Sequence, residues 1–190
     1  MPAKQKLKET ILNLLEKYSA DDISVKMICA ESGYSKQTLY NNYYNWMDAL
    51  GDAFEGEFLS HVGESDNYHD WVEGFRRVLV FMRTRKKAFY HVYNSSRRDE
   101  FIDMFKEHGG ALVGKGIRDC SRDMGIPCSD KDYEFMLSFY MYVFIGIIRK
   151  YIENGMEEDP AYIASRCDAM MRYHIRNTLR NLADIDAGVF

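Results

Sequence analysis

The sequence of 190 residues has little of what interrupts a helix or cross-links a chain. Its three prolines stand at positions 2, 127 and 160, which leaves long stretches free of helix breakers. Its four cysteines form no Cys-x-x-Cys pair and no metal-like spacing. This cysteine usage excludes a disulfide scaffold and indicates a reduced, cytoplasmic protein.

Long apolar runs and an excess of positive charge are missing as well. The longest apolar run, Phe139–Ile148, has ten residues and is too short to cross a bilayer. Residues 1–20 have the pattern of a charged amphipathic helix and lack the apolar core of a signal peptide. With 25 basic and 29 acidic side chains the net charge is −4. Bulk charge therefore predicts no diffuse binding to nucleic acid or membranes, although it leaves room for a local basic patch.

Apolar residues at helical spacing, by contrast, occur almost throughout the chain. Period-two alternation, the pattern of a strand, is not found. The sequence therefore predicts an all-α fold of about nine helices. The predicted helical segments are 4–18, 24–32, 36–42, 46–62, 68–84, 89–93, 98–123, 130–154 and 160–182.

Residues 24–44 predict two short helices joined by a tight turn. Ser24 and Ser35 are expected to cap the two helices, and Gly33 can adopt the positive φ that the turn needs. A helix-turn-helix of this kind presents its second helix to the major groove of DNA. From spacing alone, the alternative is a solvated polar helix in a purely structural bundle.

The segments 28–35 (ICAESGYS), 38–40 (TLY) and 49–50 (AL), together with the aromatic Tyr43, resemble the DNA-binding domain of the tetracycline-repressor-type (TetR) family of bacterial regulators. Residues 144–163 resemble, more weakly, the penultimate helix of one TetR subgroup. The resemblance implies a three-helix DNA-binding head followed by a larger helical domain that binds an effector and forms a dimer.

In this chain the head would cover residues 1–45 and the effector-binding and dimerisation domain residues 46–190. The resemblance implies that Thr38 and Tyr40 contact phosphates, and that the variable positions Lys36 and Gln37 contact bases. The partner would be double-stranded DNA with a two-fold-symmetric operator. The residues predicted to contact DNA are Ser24, Lys26, Ser35, Lys36, Gln37, Thr38, Tyr40, Asn41 and Tyr44.

One position departs from the pattern of the family. Three residues after Tyr43 the family usually carries a lysine that supports phosphate contact, and this chain has Trp46. Residues 1–45 carry six lysines and five acidic residues, a net charge of +1, so we expect a modest and strongly salt-dependent DNA affinity. An alternative hypothesis is a regulator of the same fold that acts through a protein partner and contacts DNA weakly.

The segment 71–144 is rich in aromatic residues and methionine. Apolar pockets with a few polar groups are typical of small-ligand sites, and the family resemblance implies one here, binding a small, largely apolar or aromatic effector that releases a repressor from DNA. Plain core packing is the alternative for each residue. The predicted pocket residues are Trp71, Phe75, Met82, Phe89, Tyr93, Phe105, His108, Met136, Phe139, Tyr140 and Val143.

The last two predicted helices, 130–154 and 160–182, are expected to form a homodimer. The first of them is apolar on two sides, and Gly146 would permit close approach of a partner helix. A four-helix bundle, with two helices from each subunit, would bury these surfaces. Two-fold symmetry would then present the reading helices to half-sites about 34 Å apart, or a multiple of one DNA turn. The alternative is an intramolecular core.

Other motifs predict no enzyme, metal or cofactor site. Residues 109–116 (GGALVGKG) approach a phosphate-binding loop, but they lack its final Ser or Thr and no strand precedes them. Glu57, His61 and Glu64 could share a helix face as metal ligands, and an exposed polar face explains them as well. No catalytic constellation is legible, so an enzyme or small-molecule carrier on a helical bundle is a third and weaker hypothesis.

Overall fold

The computed structural model describes residues 2–62 and 70–189, and these residues form ten α-helices and one short 3-10 helix, with no strand among them. The all-α prediction is confirmed. The 3-10 helix is Ala20–Asp22. The α-helices are α1 (Ala3–Leu15), α2 (Val25–Ser32), α3 (Lys36–Asn42), α4 (Asp48–Val62), α5 (Asp70–Thr84), α6 (Lys86–Tyr93), α7 (Arg98–Met124), α8 (Asp130–Glu153), α9 (Pro160–Met171) and α10 (His174–Asp186).

The first three helices form the head. α1 packs against both α2 and α3, and its inner stripe includes Leu7 and Ile11, which are wholly buried. Ile28 of α2 and Leu39 of α3 complete this small core. Neither α2 nor α3 is long enough to be stable alone, so their packing on α1 determines their positions.

The remaining helices, which we call the body, continue the same hydrophobic core. α4 leaves the head and packs between α5 and α7, while α1 also contacts α4 and α6. Phe54 of α4 lies against Phe81, Phe89, Phe101 and Phe105, with ring centroids 5.1–6.3 Å apart. Because this core runs from α1 to α9 without a break, a shift of α4 must be accommodated by both head and body.

The final predicted helix is divided in two. A single helix over 160–182 was expected, but α9 ends at Met171 and α10 begins at His174. Tyr173 between them has a left-handed backbone with φ of 62°, which costs about 1 kcal/mol or more for a residue with a side chain. The turn directs α10 onto α7, where Leu179 is buried in a second, smaller core with Ile117.

Helix α8 is long and apolar enough to cross a membrane by length and composition, with a mean hydropathy of 1.4 over its most apolar window. It packs along α7 and also contacts α6, and 39% of that window is buried within the chain. A helix that supplies side chains to two cores needs as many apolar residues as a helix of this length that crosses a membrane. We therefore interpret α8 as a packed helix of the body.

Candidate nucleic-acid interface

The position of α3 is set by one buried side chain and one capping hydroxyl. Leu39 is wholly buried against the head core. Ser35 precedes the helix, and its Oγ accepts a hydrogen bond from the Thr38 amide at 3.1 Å, as predicted for an N-cap. The Ser35 and Thr38 hydroxyls also lie 3.0 Å apart. These contacts fix the start of the helix, so its opposite face is not needed for packing.

The turn before α3 has the geometry that the sequence predicts. Ser24 caps α2 by accepting from the Met27 amide at 3.3 Å. Gly33 ends α2 with φ of 76°, a left-handed conformation that suits glycine. The turn sets the angle between α2 and α3. The two helices and the turn together form a helix-turn-helix at the predicted position.

The outer face of α3 is polar, and its side chains are partly ordered by one another. The Gln37 Nε2 donates to Asn41 Oδ1 at 3.0 Å, one turn further on. The Lys36 ammonium lies 5.6 Å from the centroid of the Tyr40 ring. Tyr44, just beyond the helix, is 91% exposed. The face therefore offers amides, a cation and phenols in one surface.

The predicted DNA-contact residues lie at the surface of the head. Thr38 is half-buried, while the other eight are exposed. Ser24 and Lys26 stand at the start of α2, whereas the others belong to α3 or its flanks. These positions are compatible with the predicted contacts, which stay predictions.

A carboxylate on α4 holds two lysines of α1. The Asp52 side chain pairs with Lys4 and, at 3.2 Å, with Lys8. The Tyr43 hydroxyl also donates to Asp52 at 3.2 Å. Burial alone would raise the pKa of Asp52, but the two ammonium groups outweigh it and the pKa is lowered. Burial, together with the Asp52 charge, raises the pKa of Tyr43. Head and α4 are therefore joined by a charged contact between residues distant in sequence, which no local pattern indicates.

Trp46, the residue that stands in place of the usual lysine, points into the protein. It is buried between head and body. The Arg97 guanidinium carbon lies 4.5 Å from the centroid of its ring, a cation–π distance. The position therefore supplies a contact with the body where the family usually supplies a phosphate contact.

The predicted effector-pocket residues do not form one group. Phe75, Met82, Phe89, Tyr93 and Phe105 are buried in the main core, with Trp71 packed against it. Met136 and Tyr140 belong to the second core near α10. Val143 is half-buried, and Phe139 is 48% exposed, stacking on His174. Eight of these residues therefore pack in two separate cores, whereas Phe139 and Val143 are members of neither.

His108, the remaining predicted pocket residue, lies against helix α4. Its Nδ1 lies 3.1 Å from Glu55 Oε2. Its ring occupies a notch in α4 at Gly51, where an added Cβ would collide with the imidazole.

A cavity of about 210 Å³ lies elsewhere, between the end of α7 and the start of α8, and is lined by Ile117, Arg118, Ser121, Arg122, Cys128, Asp130 and Tyr133.

No group of three or more His, Cys, Asp or Glu that could hold a metal occurs in residues 2–62 and 70–189, as far as their side chains are described. The alternative site at Glu57, His61 and Glu64 extends outside the described residues. The phosphate-loop resemblance at 109–116 lies within the helix α7, which continues unbroken through it. That segment therefore has no loop in which to cradle a phosphate.

These features define a class of protein, an all-α fold with an N-terminal helix-turn-helix and a larger helical body. The family model described as the transcriptional regulator C-terminal region, of TetR type, matches residues 69–173. The match covers more than half of the 190 residues. The chain therefore belongs to the TetR family of transcriptional regulators.

Two comparisons with single proteins agree with this class. The chain is 20% identical over 150 residues to the HTH-type dhaKLM operon transcriptional activator DhaS of Lactococcus lactis subsp. lactis (strain IL1403), covering 79% of each chain. It also resembles a solved structure of the dihydroxyacetone kinase operon activator DhaS, with a TM-score of 0.58 and 19% identity over 96% of this chain and 97% of the other. At this identity the structural likeness supports the fold.

Proposed function

We propose that the protein is a homodimeric DNA-binding transcription regulator of the cytoplasm, in which α3 of each protomer enters the major groove of a two-fold-symmetric operator. The observation that carries this proposal is the polar outer face of α3. A helix of seven residues is not stable by itself, yet caps, a turn glycine and Leu39 hold it with its polar face outward.

Base recognition is assigned to the amides of Gln37 and Asn41 and to Lys36. A side-chain amide can accept from the N6 amino group and donate to N7 of adenine, a pair of contacts that only adenine complements in the major groove, and a lysine can donate to guanine. The hydrogen bond between the two amides restricts their rotamers before binding. Less conformational entropy is then lost on contact.

Phosphate contact is assigned to hydroxyls at the edges of this surface, those of Ser24, Ser35, Thr38, Tyr40 and Tyr44, and to Lys26. Such contacts position the protein without selecting sequence. With Lys4 and Lys8 paired to Asp52 and Trp46 buried, few cations remain to neutralise phosphates. We therefore expect a shallower salt dependence than that of a strongly basic head.

Selection from a random duplex library, followed by a salt titration of the selected duplex, tests this proposal. We expect a two-fold-symmetric consensus and an affinity that falls linearly on logarithmic axes, with a slope of about −0.9 for each phosphate neutralised. Absence of any enrichment at low salt, from a folded dimeric protein, would overturn the proposal.

The dimer is proposed to form through α8 and α9. Phe135 and Tyr142 of α8 are 74% and 72% exposed, and with Phe139 they form one stripe at helical spacing. A Cβ built at Gly146, one turn further on, meets no atom within 4 Å. Met170 of α9 is exposed as well. The apolar stripe on α8 is typical of an association surface, and a second copy would cover it.

A double substitution, Phe135→Glu with Tyr142→Glu, tests the dimer. Each protomer would carry two charges into the contact, so we expect a monomer in sedimentation velocity and an operator affinity about 100-fold lower or more, because the two heads would no longer act together. Tyr90→Glu, at an exposed aromatic residue on α6, is the matched control. A double variant that stays dimeric would contradict the assigned surface.

The direction of regulation is a separate proposal. The family resemblance implies a repressor, whereas the relative DhaS is by name an activator. We keep repression as the proposal, because occlusion of a promoter requires only the DNA contact assigned to α3. A reporter gene with the selected operator placed over or upstream of its promoter decides it, since a repressor lowers expression and an activator raises it.

A small aromatic effector is proposed to act at the rings around Phe54. These rings pack against α4, so a molecule that separated them would shift α4 and favour one head spacing over another. The second candidate, control by a protein partner, is favoured by the close packing of the same residues in the core. Release of operator DNA in a screen of aromatic compounds supports the effector, and release only by a binding protein supports the partner.

A further inference from the structure

The turn between α6 and α7, residues Asn94–Arg97, contacts the head at two separate points; we call it the α6–α7 corner. The Ser96 amide donates to the Asp21 carboxylate at 3.1 Å, and the Ser96 hydroxyl donates to it as well. Arg97 lies over the Trp46 ring. Asp21 precedes α2 and Trp46 follows α3. The corner therefore contacts both ends of the helix-turn-helix.

Each of these contacts has a defined geometry. The Arg97 guanidinium is held over the indole by hydrogen bonds to Glu100, with the shortest at 2.7 Å. The Asp21 carboxylate accepts from both donors of Ser96, and these hydrogen bonds lower the pKa of Asp21. Both contacts therefore join a charged group to a fixed partner across the boundary between head and body.

The opposite side of the corner is attached to α8. The hydroxyl of Tyr93, which is buried at the end of α6, donates to Glu153, and Arg149 Nε donates to the same hydroxyl oxygen at 3.3 Å. Arg98, the first residue of α7, lies 4.5 Å from the centroid of the Tyr93 ring and donates to its carbonyl at 2.6 Å. A continuous set of contacts therefore connects the end of α8 to the helix-turn-helix.

We propose that the α6–α7 corner sets the orientation of the helix-turn-helix relative to α8, with Arg97, Trp46 and Asp21 as positioning residues that determine which half-site spacing the dimer selects. The inference rests on the proposed function. A unit held at one end can pivot about that end, whereas a unit held at both ends cannot. Since α8 carries the proposed dimer surface, a fixed head on each α8 fixes the separation of the two α3 helices.

This attachment is distinct from the connection through α4. That connection is made by the covalent chain and by the contact of Asp52 with α1. The corner instead contacts the residues just before α2 and just after α3. Loss of the corner would leave the head folded and joined through α1 to both α4 and α6, where Arg85 and His91 contact it, but α2 and α3 could then shift relative to the body. The expected consequence is a change in spacing preference, with the reading of each half-site retained.

A spacing library tests the inference. The half-site selected by the wild-type protein is held constant, and the spacer between two copies is varied in steps of one base pair. We expect Arg97→Gln and Asp21→Asn each to lower the affinity ratio between the best spacer and its neighbours by about threefold, and the pair together by about tenfold. A merely structural role would weaken binding equally at every spacer.

Two further variants sharpen the test. Arg122→Gln is the matched control, because Arg122 lies near the far end of α7, the helix that Arg97 precedes, pairs with a neighbouring Asp119 and is about 37 Å from Arg97 along the axis. Trp46→Lys removes the corner contact and restores the cation usual in the family. We expect it to bind more tightly at every spacer and with a flatter spacing profile. Thermal melting of each variant establishes that it is folded.

The outcomes separate the inference from the proposed function. A flattened or shifted profile in Arg97→Gln and Asp21→Asn, with an unchanged profile in Arg122→Gln, supports the inference. Profiles that superimpose on that of the wild type would overturn it and leave the proposed function standing. Absence of any spacing-dependent binding by the wild-type dimer would overturn the proposed function and the inference with it.

Discussion

The tyrosines on the reading face of the head and those in the core of the body are placed in opposite ways. On the head, Tyr40 and Tyr44 project from the reading face, and the side chains are exposed. In the body, Tyr93, Tyr140 and Tyr151 are almost wholly buried, and each hydroxyl has a partner, in Glu153, His174 and the Leu79 carbonyl respectively. The same residue type therefore serves two different purposes.

The difference shows which aromatic residues are available to a ligand. A buried hydroxyl must be hydrogen-bonded within the protein, so these three phenols of the body already have their partners. An exposed phenol is bonded to water, which a phosphate oxygen can replace at little cost. The buried phenols of the body thus take part in packing, whereas the exposed phenols on α3 belong to a surface suited to binding.

The largest expected effect concerns the packed region. Phe89→Ala removes a wholly buried ring that touches Phe54 and Phe101, and we expect the free energy of unfolding to fall by about 3–5 kcal/mol. Tyr90→Ala, its exposed neighbour, is the control and should lie within about 0.5 kcal/mol of the wild type. Urea denaturation measures both, and equal losses would contradict the assignment of Phe89 to a packed core.

The next effect concerns base recognition by the head. Gln37→Ala should reduce the preference for the selected duplex over one altered at the contacted base pair by about 1–3 kcal/mol, without changing the free energy of unfolding. Gln5→Ala, which removes an exposed amide from α1, should leave the preference unchanged. Fluorescence anisotropy with the two duplexes measures the difference, and an unchanged preference in Gln37→Ala would show that this side chain does not contact a base.

A smaller effect is expected at the phosphate contact. Tyr40→Phe should weaken all duplexes about equally, by about 0.5–1.5 kcal/mol, because its hydroxyl is assigned to a phosphate. The control is Tyr18→Phe, since Tyr18 on the head is 44% exposed against 46% for Tyr40. An effect of Tyr40→Phe on one sequence alone would instead assign the hydroxyl to a base.

The smallest effect concerns the joint between the two regions. The pKa of Asp52 is lowered in the folded protein, so the folded state binds fewer protons than the unfolded state near the ordinary value of 3.8. Its contribution to stability is therefore present above that pH and is lost as the pH falls through the folded pKa. Asp52→Asn should remove this part of the acid sensitivity and cost about 1 kcal/mol or less at neutral pH. Denaturation curves across acidic pH measure it, and identical pH profiles would contradict the role given to Asp52.

The head was predicted in detail because its signals are local. Ser24, Ser35 and Gly33 act on residues within a few positions of themselves, so the caps and the turn could be recognised in a single sequence. The buried Leu39 follows from the same short pattern. Family resemblance then connected this pattern with DNA binding.

The body was predicted less well because its signals are long-range. Periodicity identifies an apolar face but cannot distinguish a packed core from a pocket. The sequence around Phe75 and Phe105 therefore does not indicate that their side chains pack in the core. The contact of Trp46 with Arg97 joins residues distant in sequence, and the break at Tyr173 is enforced by packing of α10 on α7. Phe135 and Tyr142, by contrast, lie at regular spacing with Phe139, and that stripe was a signal that could have been used.

The measurement that tests the central claim most directly is a second selection from the random duplex library with Gln37→Arg. If α3 is the reading helix, the consensus should change to guanine at one pair of symmetry-related positions, because arginine complements the O6 and N7 of guanine, and all other positions should be retained. A consensus identical to that of the wild-type protein would contradict the claim, since a side chain that contacts a base cannot be exchanged in this way without changing the sequence that the helix selects.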